Sequence, residues 1–142
     1  MIFKHTLFLV ALATSSSAYS ANWQTLKVPG YVGNNIFQLD RASILKRGAV
    51  VQAWTRVIHP ERFSVDSDSV LTARVVLELR EINCSQRTET SKRVFFVYDL
   101  NDSTVMKERG PREPEDIVPG SGGEVVFAAV CRSTSGKRSA IR

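Results

Sequence analysis

Cys84 and Cys131 are the only cysteines in the chain. A thiol pair can form a disulfide, a redox couple or part of a metal site. No Cys-x-x-Cys spacing is present, which argues against thiol exchange. His59 is the one histidine beyond the leading segment, so any Ser-His-Asp device or zinc set would have to use it. It precedes Pro60 in a polar stretch and reads as a surface residue. Ser121 lies in Gly120-Ser121-Gly122-Gly123, which lacks the Gly-x-Ser-x-Gly spacing of a nucleophile elbow. Its free amides could hold an anion, but Ser121 and Glu124 would already occupy them. Asp66-Ser67-Asp68 begins like a calcium loop, without that loop's glycine and closing glutamate. Glu113, Glu115 and Asp116 sit in a proline-rich loop, where a solvated charge cluster is the plainer reading than acid–base work. These residues form no catalytic set, and no metal or cofactor is expected.

The remaining candidates are basic. Arg74, Arg80, Arg87, Lys92 and Arg93 fall in stretches with strand character. They would form a binding patch if they shared the polar side of one sheet; ordinary solvated strand faces are the alternative. Trp23 and Trp54 read as core residues ahead of binding platforms. The chain carries a net charge of +5. Arg132, Lys137, Arg138 and Arg142 meet no acidic residue after Glu124. Residues 133–142 therefore read as a flexible basic tail, with a polyanion-binding arm as the functional alternative. No nucleic-acid partner is expected.

The segment 1–20 has the three parts of a secretory signal. Lys4 lies near the start, an apolar run extends from Leu7 to Ala13, and Ala18 and Ser20 supply small residues at −3 and −1 of a cut after Ser20. Cuts after Ala18 or Ala21 are alternatives, and so is a retained anchor. A membrane span needs about 20 apolar residues. Ser15, Ser16 and Ser17 end this run too early for that. The segment 21–132 would then be one exported domain. In an oxidising compartment two cysteines read as a disulfide, with two free thiols as the alternative. Closing the loop between Cys84 and Cys131 would stabilise the fold by about 4 kcal/mol if the effect is one of chain entropy.

The elements that must carry these residues are mostly strands. Trp23 to Val28 alternates until Pro29-Gly30, and Asn35 to Leu39 is a second short candidate. Asp40 is suited to cap a helical turn over Arg41 to Ile44, and Lys46-Arg47-Gly48 reads as a turn. Ala49 to Ile58 is rich in β-branched and aromatic residues and is expected to stop before Pro60. Val70 to Asn83 fits period two with Leu71, Ala73, Val75, Leu77 and Leu79 inward, although a helix also fits part of it. Arg87 to Leu100 and Val105 to Arg109 are further strands, with Gly110 to Asp116 a loop. Ser121 and Glu124 have the spacing of a capping box. Val125, Val126, Ala129 and Val130 form an apolar stripe that ends near Cys131. The expectation is an α+β domain: an antiparallel sheet of about five to six strands with one C-terminal helix packed on it, tied by Cys84 and Cys131.

Several of these segments occur together in a known family. They are Trp23, Leu39-Asp40-Arg41-Ala42-Ser43-Ile44, Val50 to Trp54, Glu81 to Arg87 around Cys84, the strand ending at Tyr98, and Ile117 to Glu124 followed by Ala129-Val130-Cys131. The chain from Trp23 to about Arg132 resembles the surface-adhesin E family of small exported bacterial proteins. The resemblance implies the same sheet-and-helix fold with its disulfide, and a place in the envelope of a Gram-negative bacterium, in the periplasm or on the outer surface. It implies a non-catalytic module for a protein partner, with host matrix and plasma proteins as the ligand class. A periplasmic structural or accessory role, with a homodimer through a sheet edge, is the alternative. The chain lacks a lipid-attachment cysteine, and no ligand residue carries over from the family.

Overall fold

The computed structural model describes residues 20–29, 34–64, 72–97 and 106–132, with Met106 and Lys107 as backbone only. Residues 1–19 of the expected signal, the basic tail, Asp66 to Asp68 and the ends of three expected strands lie outside the described residues.

Six strands form a continuous antiparallel series: β1 (Trp23–Leu26), β2 (Ile36–Asp40), β4 (Val50–Ser64), β5 (Thr72–Asn83), β6 (Thr88–Val97) and β7 (Met106–Arg109). Two short strands attach beside them. β3 (Leu45–Arg47) pairs with β4, and β8 (Glu115–Asp116) pairs with β6. One helix, α1 (Gly122–Cys131), closes the described chain. The fold is the expected α+β arrangement, with Cys84 and Cys131 disulfide-bonded at a Cα separation of 5.6 Å.

Local chemistry explains most boundaries. Asp40 Oδ1 accepts from the Ala42 amide at 3.0 Å and from the Asn22 amide at 2.7 Å. One buried carboxylate thus caps the 3-10 turn Arg41–Ser43 and ties down the start of β1. Between β5 and β6, Asn83 Oδ1 accepts from the Ser85 and Gln86 amides at 3.1 Å each. Arg87 completes that turn at φ 56°. A positive φ is uncommon for a residue with a side chain. At α1 the Ser121 hydroxyl accepts from the Glu124 amide at 3.2 Å, and Glu124 Oε2 accepts from the Gly120 amide at 2.7 Å. The capping box expected from the sequence is therefore formed.

Three expected boundaries change. β4 does not stop before Pro60 but runs on to Ser64. Its register shifts between the Ile58–Val75 and Phe63–Ala73 pairs. A bulge tolerates a residue that has no amide to donate. Lys46 and Arg47 belong to β3, and the reversal falls on Gly48 at φ 62°. The expected loop before the helix contains β8, whose Glu115 and Asp116 pair with Glu89 and Thr88.

The core lies between α1 and one face of the sheet. Phe37, Leu39, Val51, Ala53 and Ile82 meet Ile117, Val126, Phe127 and Val130. Val126, Phe127 and Val130 are all buried. Their burial stabilises the docked helix by about 1.5–3 kcal/mol per side chain. β5 presents the opposite parity from the one its leucines suggest. Val51 pairs with Ile82, Ala53 with Arg80, Thr55 with Glu78 and Val57 with Val76. Strand alternation therefore turns these residues of β5 to the helix side. Leu77 and Leu79 point away and are half-buried.

His59 lies on the extended part of β4, with its ring 4.5 Å from that of Phe63. Partial burial lowers its pKa from the usual 6.5, because desolvation disfavours the imidazolium. Its proton is bound less tightly in the folded state than in the unfolded state. The contribution of His59 to stability is complete above pH 6.5 and falls as pH drops from there toward the folded pKa. An NMR titration of the imidazole should give a midpoint below 6.5, and His59→Gln should remove that part of the acid destabilisation.

Candidate functional site

The sheet has one covered face and one open face. The described residues place no helix on the second, and three of its side-chain rungs run across the middle and one end of the strands. Thr25, Gln38, Arg56, Leu77, Phe95 and Glu108 make the first, Trp54, Leu79 and Arg93 the second, and Ile36, Ile58, Val75 and Val97 the third, where Val75 and Val97 are buried and the face is closed off. The middle of this face is aromatic and aliphatic. Trp54 and Phe95 lie 5.9 Å apart between ring centroids, with Leu77 and Leu79 beside them.

Guanidinium groups lie over Trp23 and Phe95. Arg56 is 4.2 Å from the centroid of Trp23, and Arg93 is 5.0 Å from that of Phe95. Both are within the range of cation–π attraction. Arg56 Nε donates to Gln38 Oε1 at 2.6 Å. Desolvation lowers the Arg56 pKa, and the charge of Asp40 acts in the opposite direction. Arg93 Nε pairs with Glu108 Oε1 at 2.6 Å. This hydrogen-bonded ion pair in solvent raises the Arg93 pKa and lowers that of Glu108.

The five basic residues singled out from the sequence are dispersed. Arg93 is on the open face. Lys92 is the extra residue where the register of β6 shifts between the Leu79–Arg93 and Arg80–Ser91 pairs. Its ammonium lies 4.0 Å from Glu81. Arg74 is exposed and donates to the His59 carbonyl at 3.3 Å. Arg87 ends the turn after Cys84, 4.6 Å over the ring of Phe127. Arg80 is on the helix side, where its two terminal nitrogens contact Glu78 at 2.5 Å and Glu89 at 2.6 Å. Strand alternation and the β6 bulge thus send neighbouring cations to different faces. Glu113, Glu115 and Asp116 are exposed, and no group of metal-ligating side chains occurs among the described residues.

Trp54 stands on the open face instead of in the helix-covered core, and sequence reasoning did not single out Arg56 or Phe95. The signal was available in the alternation of β4, where Val51, Ala53 and Thr55 take one parity and Gln52, Trp54 and Arg56 the other.

A disulfide-tied C-terminal helix on one face of an antiparallel meander, with the other face bearing arginines over aromatic rings, defines a small sheet-and-helix module. The chain belongs to the surface-adhesin protein E family, whose model matches residues 15–132. It is similar in fold to solved structures of protein E from Haemophilus influenzae. One crystal form superposes with a TM-score of 0.56 at 16% identity, covering 78% of this chain and 97% of that one. The structure from a non-typeable strain gives 0.53 at 17% identity, covering 80% and 86%. No curated protein sequence matches the chain.

Proposed function

We propose that this chain is an exported, non-catalytic protein-binding module that meets its ligand through the open face of its sheet. The observation that carries this reading is the band of Trp54, Leu77, Leu79 and Phe95, which no described helix covers, with Arg56 and Arg93 over aromatic rings beside it. Half-buried aromatic groups next to guanidiniums are the side chains that dominate protein interfaces. They suit a partner surface that presents carboxylates among apolar groups. Membership of a surface-adhesin family supports a host matrix or plasma protein as that partner.

The test is solid-phase binding of the purified protein to a panel of matrix and plasma proteins. Saturable binding that weakens as salt rises is the expected result. The pair Arg56→Glu and Arg93→Glu should lower affinity at least about tenfold with folding intact. Binding that is insensitive to both salt and the substitutions would remove this face from the mechanism. Protease treatment of intact cells supplies the second arm. Cleavage while a periplasmic control stays whole fits an adhesin, and protection until the outer membrane is opened fits a periplasmic accessory protein.

A further inference from the structure

The helix side of the sheet holds a second feature, a cleft of about 400 Å³ between the start of α1 and strands β5 and β6. Its apolar walls include Phe37 and Phe96, and its floor is charged. Arg80 is shared by two carboxylates, those of Glu78 and Glu89, and the three side chains are only 14–18% exposed. The Arg80 guanidinium is fully engaged, because its Nε also donates to the Thr55 hydroxyl at 3.2 Å. Glu115 and Arg112 stand at the rim. Among the lining residues three carboxylates outnumber two guanidiniums, while the Arg109 guanidinium lies 5.2 Å over the ring of Phe96 at the edge of the cleft.

Two details bear on what it would bind. The first turn of α1 could favour an anion, but a carboxylate already lies there: a side chain at Gly123 would collide with Glu89. The second is Ser91. It is 7% exposed, lines the cleft opposite Arg80, and its hydroxyl has no hydrogen-bond partner among the described residues. A buried hydroxyl without a partner costs free energy that a bound donor would recover.

We propose that the cleft is a receptor for an alkyl-guanidinium or alkyl-ammonium group. The cation would pair with the Glu78–Glu89 side of the floor and donate to the Ser91 hydroxyl, with its methylene stem between Phe37 and Phe96. The source is either an arginine or lysine side chain of a partner or a free aliphatic amine; the chemistry is the same. The site stands apart from the open face, so the failure of either leaves the other in place.

The test is a heteronuclear NMR titration of the labelled protein with ethylguanidinium, and with propionate and propanol as anionic and neutral probes. Ethylguanidinium should shift the amide signals of Ser91, Gly122 and Gly123 saturably, and the other two should not. Ser91→Ala, which removes only an unpartnered hydroxyl, should keep or raise the melting temperature and weaken binding about three- to tenfold. Glu78→Gln should weaken it as well. Tighter binding of an acetyl-Gly-Arg-Gly-amide peptide than of agmatine would support a protein-borne arginine, and the reverse a free amine. Absence of saturable shifts, stronger binding of propionate, or a Ser91→Ala affinity equal to that of the unaltered protein would overturn the proposal.

Discussion

Replacing Cys84 and Cys131 together by serine is expected to lower the free energy of unfolding by about 4 kcal/mol, a fall in melting temperature on the order of 10–20 °C. The size follows from where the bond lies. It spans a sequence separation of 47 and joins the last residue of α1 to the residue just after β5. The helix is short and begins with two glycines. Such a segment is too poor in propensity to persist alone in water. Its order depends on docking, and the disulfide holds it near its seat in the unfolded ensemble. Thermal melts with and without reductant, followed by circular dichroism, measure the effect. Melting temperatures within about 2 °C of each other would mean that side-chain packing alone retains the helix.

The second large effect is expected at Arg80. Replacing it by leucine leaves Glu78 and Glu89 facing each other, mostly out of water and with no cation between them. Breaking a buried pair in this way costs about 3–5 kcal/mol, and partial solvent access places Arg80→Leu near the lower end. Adding Glu78→Gln and Glu89→Gln should restore more than half of the loss, because neutral amides carry no charge to be left unpaired. Chemical denaturation of the single and triple variants gives both numbers. A single variant within about 0.5 kcal/mol of the parent would show that water already screens the cluster.

The parts of this fold that could be read in advance are those written in local chemistry. Asp40 and the Ser121–Glu124 pair act within a few residues of themselves, so their caps were visible. So was the strand character of β4 and β6. The facing of β5 was not. Val75, Val76 and Leu77 are apolar at both parities, and only pairing with Val57 and Phe96 decides that Val76 turns toward the helix side. The same decision turns Arg80 inward and breaks up the basic patch that composition suggests. The passage of β4 through Pro60 was hidden for a related reason. Proline excludes a residue from regular pairing, but it does not exclude a strand that bulges. The open face required knowing which single face one helix could cover.

The order in which the core is completed bears on how such a chain is made. The sheet is nearly a meander, and each hairpin can form as its strands emerge. Yet Phe37, Leu39, Val51 and Ile82 pack against Ile117, Val126, Phe127 and Val130, the last described part of the core to emerge. Until that segment arrives, the nascent sheet keeps a greasy surface wet and has little reason to lock. Cooperative folding therefore waits on the C-terminus. Under the export proposed above, that delay would keep the chain pliable during transit, and the final turns of helix would act as the latch that closes it afterwards.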